Sequence, residues 1–181
     1  MKRTNYETVG FPTREPMLAE GKVDSVTGFS FSSYLNLVRL GVPEEDISTI
    51  LMADHGLKLY GNAVIVNTDY AKNNSDMVKK FLVAIGAGWR DAIKDPKAAA
   101  AALVKRNPAA DAALEQRRLQ LAIDANVLTD YVKANGMGGV DSSRFAAAIE
   151  QLSETYEYKA APNAALYFTD EYLPASGIPL N

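Results

Sequence analysis

The sequence predicts an α/β fold whose second half is helix-rich, on three observations. Short β-branched or apolar runs alternate with helical patterns as far as residue 73. Beyond Asn73 the apolar residues recur at helical spacing instead. Apolar residues make up 48% of the chain and charged residues 23%, a balance that supports a packed core. At 181 residues one domain is the default and two small lobes fit.

Tyr6 to Phe11 alternates as a short strand. Pro12-Thr13 opens a helix that runs through Met17-Leu18-Ala19 to Gly21, with Pro16 in its first turn, where proline is tolerated. Val23 to Thr27 reads as a second strand, and Gly28 permits a sharp exit. The spacing of Tyr34, Leu37, Val38 and Leu40 predicts a helix over 30–40, ended by Gly41. Ile47 to Met52 is a continuous apolar-rich run of the kind found in buried strands. Asp54-His55-Gly56 is turn chemistry, Asn62 to Val66 is another β-branched run, and Asn67-Thr68-Asp69 supplies a helix cap.

In the second half, Val78, Phe81, Leu82, Ile85, Trp89 and Ala92 mark one face of a helix over 75–93. Asp95-Pro96 breaks it and opens an alanine-rich helix over 98–104, which Asn107-Pro108 ends. Leu114, Leu121, Ala125, Leu128 and Val132 predict a longer helix closing near Asn135-Gly136. Gly136 to Gly139 reads as a flexible link. Asp141 or Ser142 caps the last major helix, marked by Phe145, Ile149, Leu152 and Tyr156, and residues 163–174 form a short terminal segment.

Composition excludes several functions. A net charge of −3 without a basic stripe argues against nucleic-acid binding. The absence of cysteine excludes disulfides, thiolate metal sites and cysteine catalysis. No window approaches the ~18 apolar residues of a membrane span. Met1-Lys2-Arg3 is basic, but Thr4 to Glu7 stand where a signal peptide needs an apolar run, so the chain as written lacks one.

Few residues offer chemistry. The single histidine, His55, has no nucleophile turn to serve and no metal-ligand spacing around it. Its readings are a ligand contact or an ordinary turn residue. Gly28-Phe29-Ser30-Phe31 alternates rings with hydroxyls after a strand end and at a helix start, where open α/β sheets bind ligands. Phe29 and Phe31 suit a planar ligand and Ser30 a hydrogen bond; the other reading is a helix cap with core phenylalanines. Tyr60-Gly61-Asn62 suits a small polar ligand, although spacing alone favours a tight turn. Arg117-Arg118 and Lys105-Arg106 read as solvated helix faces, and the Trp89 stripe as core.

Three segments together resemble a known family: Arg14 to Leu18 with Val23 to Phe31, then Leu59 to Asn67, then Val140 to Ile149. The chain resembles the periplasmic solute-binding proteins of ABC importers, in the branch that binds thiamine-precursor pyrimidines, nitrate and sulfonates. The resemblance implies a periplasmic-binding-protein-like (type II) fold, here incomplete. Residues 1–73 correspond to the later part of the second α/β lobe, and residues 74–181 to a helical return that completes the first. It implies a small-molecule solute, heteroaromatic or anionic, held in an interlobe cleft without chemistry and with no cofactor. It also implies an ABC permease as partner and a periplasmic location for the full-length parent. Gly28, Phe29, Ser30, Phe31, His55, Tyr60 and Asn62 are then the surviving cleft wall. Missing sheet strands leave edges and apolar faces bare, so self-association of the shortened chain is expected. The alternatives are a truncated, non-binding remnant that folds as an oligomer and, further off, a thiamine-pyrimidine biosynthetic enzyme.

Overall fold

The computed structural model describes residues 5–180, and the basic start Met1-Lys2-Arg3-Thr4 lies outside them. Eight α-helices follow in order: α1 (Phe11–Ala19), α2 (Ser30–Arg39), α3 (Thr68–Asn73), α4 (Ser75–Lys94), α5 (Pro96–Arg106), α6 (Ala112–Ala122), α7 (Asp130–Asn135) and α8 (Ser142–Thr155). Short 3₁₀ turns stand at Glu44–Asp46, Met52–His55 and Ala164–Leu166.

The α/β expectation is corrected: among the described residues there is no sheet, and the one β-pairing is an isolated antiparallel bridge between Met137 and Ile178. The segments expected to be strands, 6–11, 23–27, 47–52 and 62–66, form none. Phe11 and Met52 instead open helical turns. The backbone at their borders is still extended, as at Phe29 (φ −82°, ψ 134°), Leu51 (φ −81°, ψ 114°) and Asn67 (φ −63°, ψ 130°). Local sequence therefore sets the extended conformation, but a strand also needs a neighbour to take its N–H and C=O groups, and none lies alongside.

The helical expectations fare differently, because a helix closes its hydrogen bonds internally. Asn67, Asp95, Asp111, Thr129 and Asp141 each cap the helix that follows, their side chains accepting a first-turn N–H. The long helix expected over 114–132 is divided. α6 runs into a π-helical turn at Ile123–Val127, the chain breaks at Leu128, and α7 restarts on the Thr129 cap.

The body is built from α4, α5, α6 and α2 packed in succession, with α1 against α2. Leu35 and Leu37 of α2, Val78 of α4, Ala100 of α5 and Ile123 form its core. The tail adds to it. Ile178 is buried against Gly86 of α4, where a Cβ would stand 2.1 Å from Ile178 Cγ2, and Arg90 donates to the Pro179 carbonyl at 2.9 Å. The glycine-rich 136–139 segment is thus more than a link, since Met137 and Ile178 exchange both backbone bonds at 2.8 and 2.9 Å.

Arg117 and Arg118 are also corrected from solvated faces to staples between α6 and the first half. Arg117 grips Glu44 with two hydrogen bonds at 2.9 and 2.7 Å, while Arg118 donates to the Phe31 carbonyl at 3.3 Å and pairs with Glu115. The Tyr34 hydroxyl joins the first cluster by donating to Glu44 at 2.5 Å. Together these donors hold the Glu44 carboxyl down at about 2.

The surface is large for the mass. A compact monomer of this size exposes about 8,600 Å², whereas this chain exposes 13688 Å². The surplus is apolar in part: Ile65 is 92% exposed, Ile50 76% and Phe81 56%.

Candidate functional site

The first half concentrates its unusual chemistry around the start of α2. Phe29 precedes that helix and no side chain caps it; the Ser32 and Ser33 N–H groups donate to the Phe29 carbonyl at 2.9 and 2.8 Å, which leaves only the N–H groups of Ser30 and Phe31 without a backbone acceptor among the described residues. The rings of Phe29 and Phe31 stack with centroids 5.2 Å apart and planes 17° apart. Gly28 makes this turn possible, because a Cβ there would stand 1.8 Å from Ser33 Oγ. Ser33 is held in turn by a 2.5 Å hydrogen bond to the buried Glu15 carboxylate. Arg14 donates to the Thr27 carbonyl at 2.5 Å and fixes the approach to the turn.

Across from Ser30 lies the second extended segment with its 3₁₀ turn. Thr49, Ile50 and Leu51 lead into Asp54 and His55, and with Ser30, Leu121 of α6 and Ala125 of the π turn they line a cleft of about 410 Å³. That volume lies in the range of small-molecule sites. The lining is mainly apolar, with polar groups from Ser30, Thr49, Asp54 and His55, and all of it but Ser30 is exposed. Such an open cleft can take one face of a flat apolar body and orient its polar edge by hydrogen bonds.

The structure therefore brings Ser30 and His55 into one cleft, with Phe29, Phe31 and Gly28 at the adjoining turn. Tyr60 and Asn62 stand elsewhere. The Tyr60 hydroxyl accepts from the Asp141 N–H at 2.9 Å, its ring lies under the Arg144 guanidinium at 4.6 Å, and Phe145 meets it edge-on. Asn62 lies on an exposed stretch outside the helices. Thr49, Leu121 and Ala125 escaped the sequence reading. The last two come from α6 and the π turn, which join the cleft only through tertiary packing that no periodicity announces.

The site lies within the part of the chain that a family model recognises. Residues 1–99 match the model described as NMT1/THI5 like. The chain belongs to the NMT1/THI5-like family. This is a family of ABC-type solute-binding proteins that also contains enzymes. Among curated proteins and solved structures, none matches the chain.

Proposed function

We propose that this NMT1/THI5-like chain is a solute-binding component of an ABC importer and acts by recognition without chemistry. The ligand is a small planar heteroaromatic or aromatic anion held in the Ser30–His55 cleft. The observation that supports this reading is one cleft lined by the Ser30 hydroxyl at an uncapped helix start, by Asp54 and His55, and by the apolar side chains of Ile50, Leu51 and Leu121. The helix start favours the electron-rich edge of the ligand. The apolar side chains take one of its faces, and His55 serves a second polar edge. In such an importer the delivery step is release to an ABC permease from the periplasmic side.

The test is a thermal-shift screen of the chain against pyrimidines, sulfonates, nitrate and small aromatic acids. A ligand present at about 100 times its Kd stabilises the native state by about 2.7 kcal/mol. The expected result is a shift with one solute class that Ser30→Ala and His55→Ala each abolish and Asn62→Ala leaves in place. Binding that survives both cleft substitutions overturns this site. A second reading, a non-binding chain that folds as an oligomer, draws on the surplus of exposed surface. No shift with any solute, together with cooperative melting, would select it.

A further inference from the structure

Residues 56–67 form an arm outside the helices whose two ends are treated differently. At the first end, α8 supplies the hydrogen bonds that a neighbouring strand would supply. Gln151 donates to the Gly56 carbonyl and accepts from the Lys58 N–H, both at 2.8 Å, so its carboxamide takes the place of the N–H and C=O of one residue of a parallel neighbour. Arg144 donates to the carbonyls of Lys58 and Leu59 at 3.2 and 3.0 Å. From Gly61 to Val66 this support stops. Among the described residues no main-chain hydrogen bond engages these six, all of which are exposed, with Ile65 at 92%.

The free end also lacks the devices that guard an edge strand. From Leu59 to Thr68 there is no charge and no proline. We propose that this stretch is a docking strand for a second copy of the same chain, paired antiparallel about a two-fold axis at Val64. In that register Val64 faces Val64 of the partner copy, Ala63 faces Ile65 and Asn62 faces Val66, which sets one β-branched pair at the axis and an apolar pair on either side of it. The flanking charges choose the direction. Lys58 lies before the stretch and Asp69 after it. Antiparallel pairing brings the lysine of one copy to the aspartate of the other at both ends, whereas parallel pairing stacks like on like. The chain as a whole exposes about 5,000 Å² more than a compact monomer, and Val64, Ile65 and Val66 are among its exposed large apolar residues. The docking strand is separate from the Ser30–His55 cleft, so failure of one leaves the other intact.

The absence of cysteine from the chain makes the register testable. Under mild oxidation Val64→Cys, which faces its own image across the axis, forms a disulfide-linked dimer. Ile65→Cys, offset from its image, links about tenfold more slowly, because a disulfide tolerates only a narrow Cβ separation. Sedimentation of the full chain shows a concentration-dependent dimer. Val64→Lys sets two ammonium groups face to face and weakens that dimer by tenfold or more, about 1.4 kcal/mol. Circular dichroism of the lysine variant keeps the helical signal, since the position is exposed and bonded to nothing. A chain that remains monomeric at all concentrations, equal cross-linking at 64 and 65, or a dimer unmoved by Val64→Lys overturns the proposal.

Discussion

The helical body around α2, α5 and α6 and the non-helical arm at 56–67 illustrate two ways in which a chain settles its backbone polar groups. In the body each helix satisfies its own amides and carbonyls and then buries one apolar face, so its stability is decided by packing around Leu35 and Leu37. The arm cannot satisfy itself. It borrows side-chain donors and acceptors from α8 along its first residues and has none along the rest. Burial thus holds one region together and borrowed hydrogen bonds hold the other, and perturbations should separate them.

The largest effect is expected in the body. Leu35 is fully buried, and Leu35→Ala should cost about 2–5 kcal/mol in unfolding free energy, measured by urea denaturation. Gly28→Ala comes next. Its Cβ collides with Ser33 Oγ and breaks the Ser33–Glu15 hydrogen bond, leaving a buried carboxylate short of a partner, at about 1–3 kcal/mol. On the arm, Gln151→Ala should leave global stability within about 0.5 kcal/mol. It should nevertheless speed hydrogen exchange at the Lys58 amide by roughly tenfold, the signature of a local opening. Equal loss of stability from Leu35→Ala and Gln151→Ala would collapse the distinction.

The smallest effect concerns the staple between the two halves. Glu44, ordinarily titrating near 4.5, is drawn down to about 2 by the Arg117 guanidinium and the Tyr34 hydroxyl. A carboxylate depressed on folding adds stability above its unfolded pKa and loses it as the pH falls through the folded value. The contribution is therefore present above about 4.5 and fades towards 2. Because the group is solvent-exposed the amplitude is modest. Glu44→Gln should flatten the acid limb of a pH–stability profile in that window, with a modest loss of stability at neutral pH that vanishes as the pH falls towards 2.

Much of the helical half was legible because caps and breakers are local. Asp95-Pro96, Asn107 and Asp141 each stand at a helix border where the sequence places one. The strands were legible only as extended backbone. The run Asn62 to Val66 has the residues a strand prefers, but pairing is a property of two segments, and the second is not alongside. In the cleft, the Phe29-Ser30 turn and His55 announced themselves by composition. Leu121 and Ala125 did not, since their arrival depends on α6 lying across α2 and on a π turn that helical periodicity hides. Tyr60 presented polar chemistry in the sequence and spends its hydroxyl on the Asp141 backbone.

The grip of α8 on the arm has one more consequence. Gln151 and Arg144 hold main-chain atoms of Gly56, Lys58 and Leu59, and main-chain atoms are the same whatever side chains those positions carry. Residues 58 and 59 are therefore free to drift over generations without loosening the arm, while a single change at 144 or 151 is felt at once. The constraint on where this segment lies is written eighty and more residues downstream of it, in a helix whose own folding does not depend on the message.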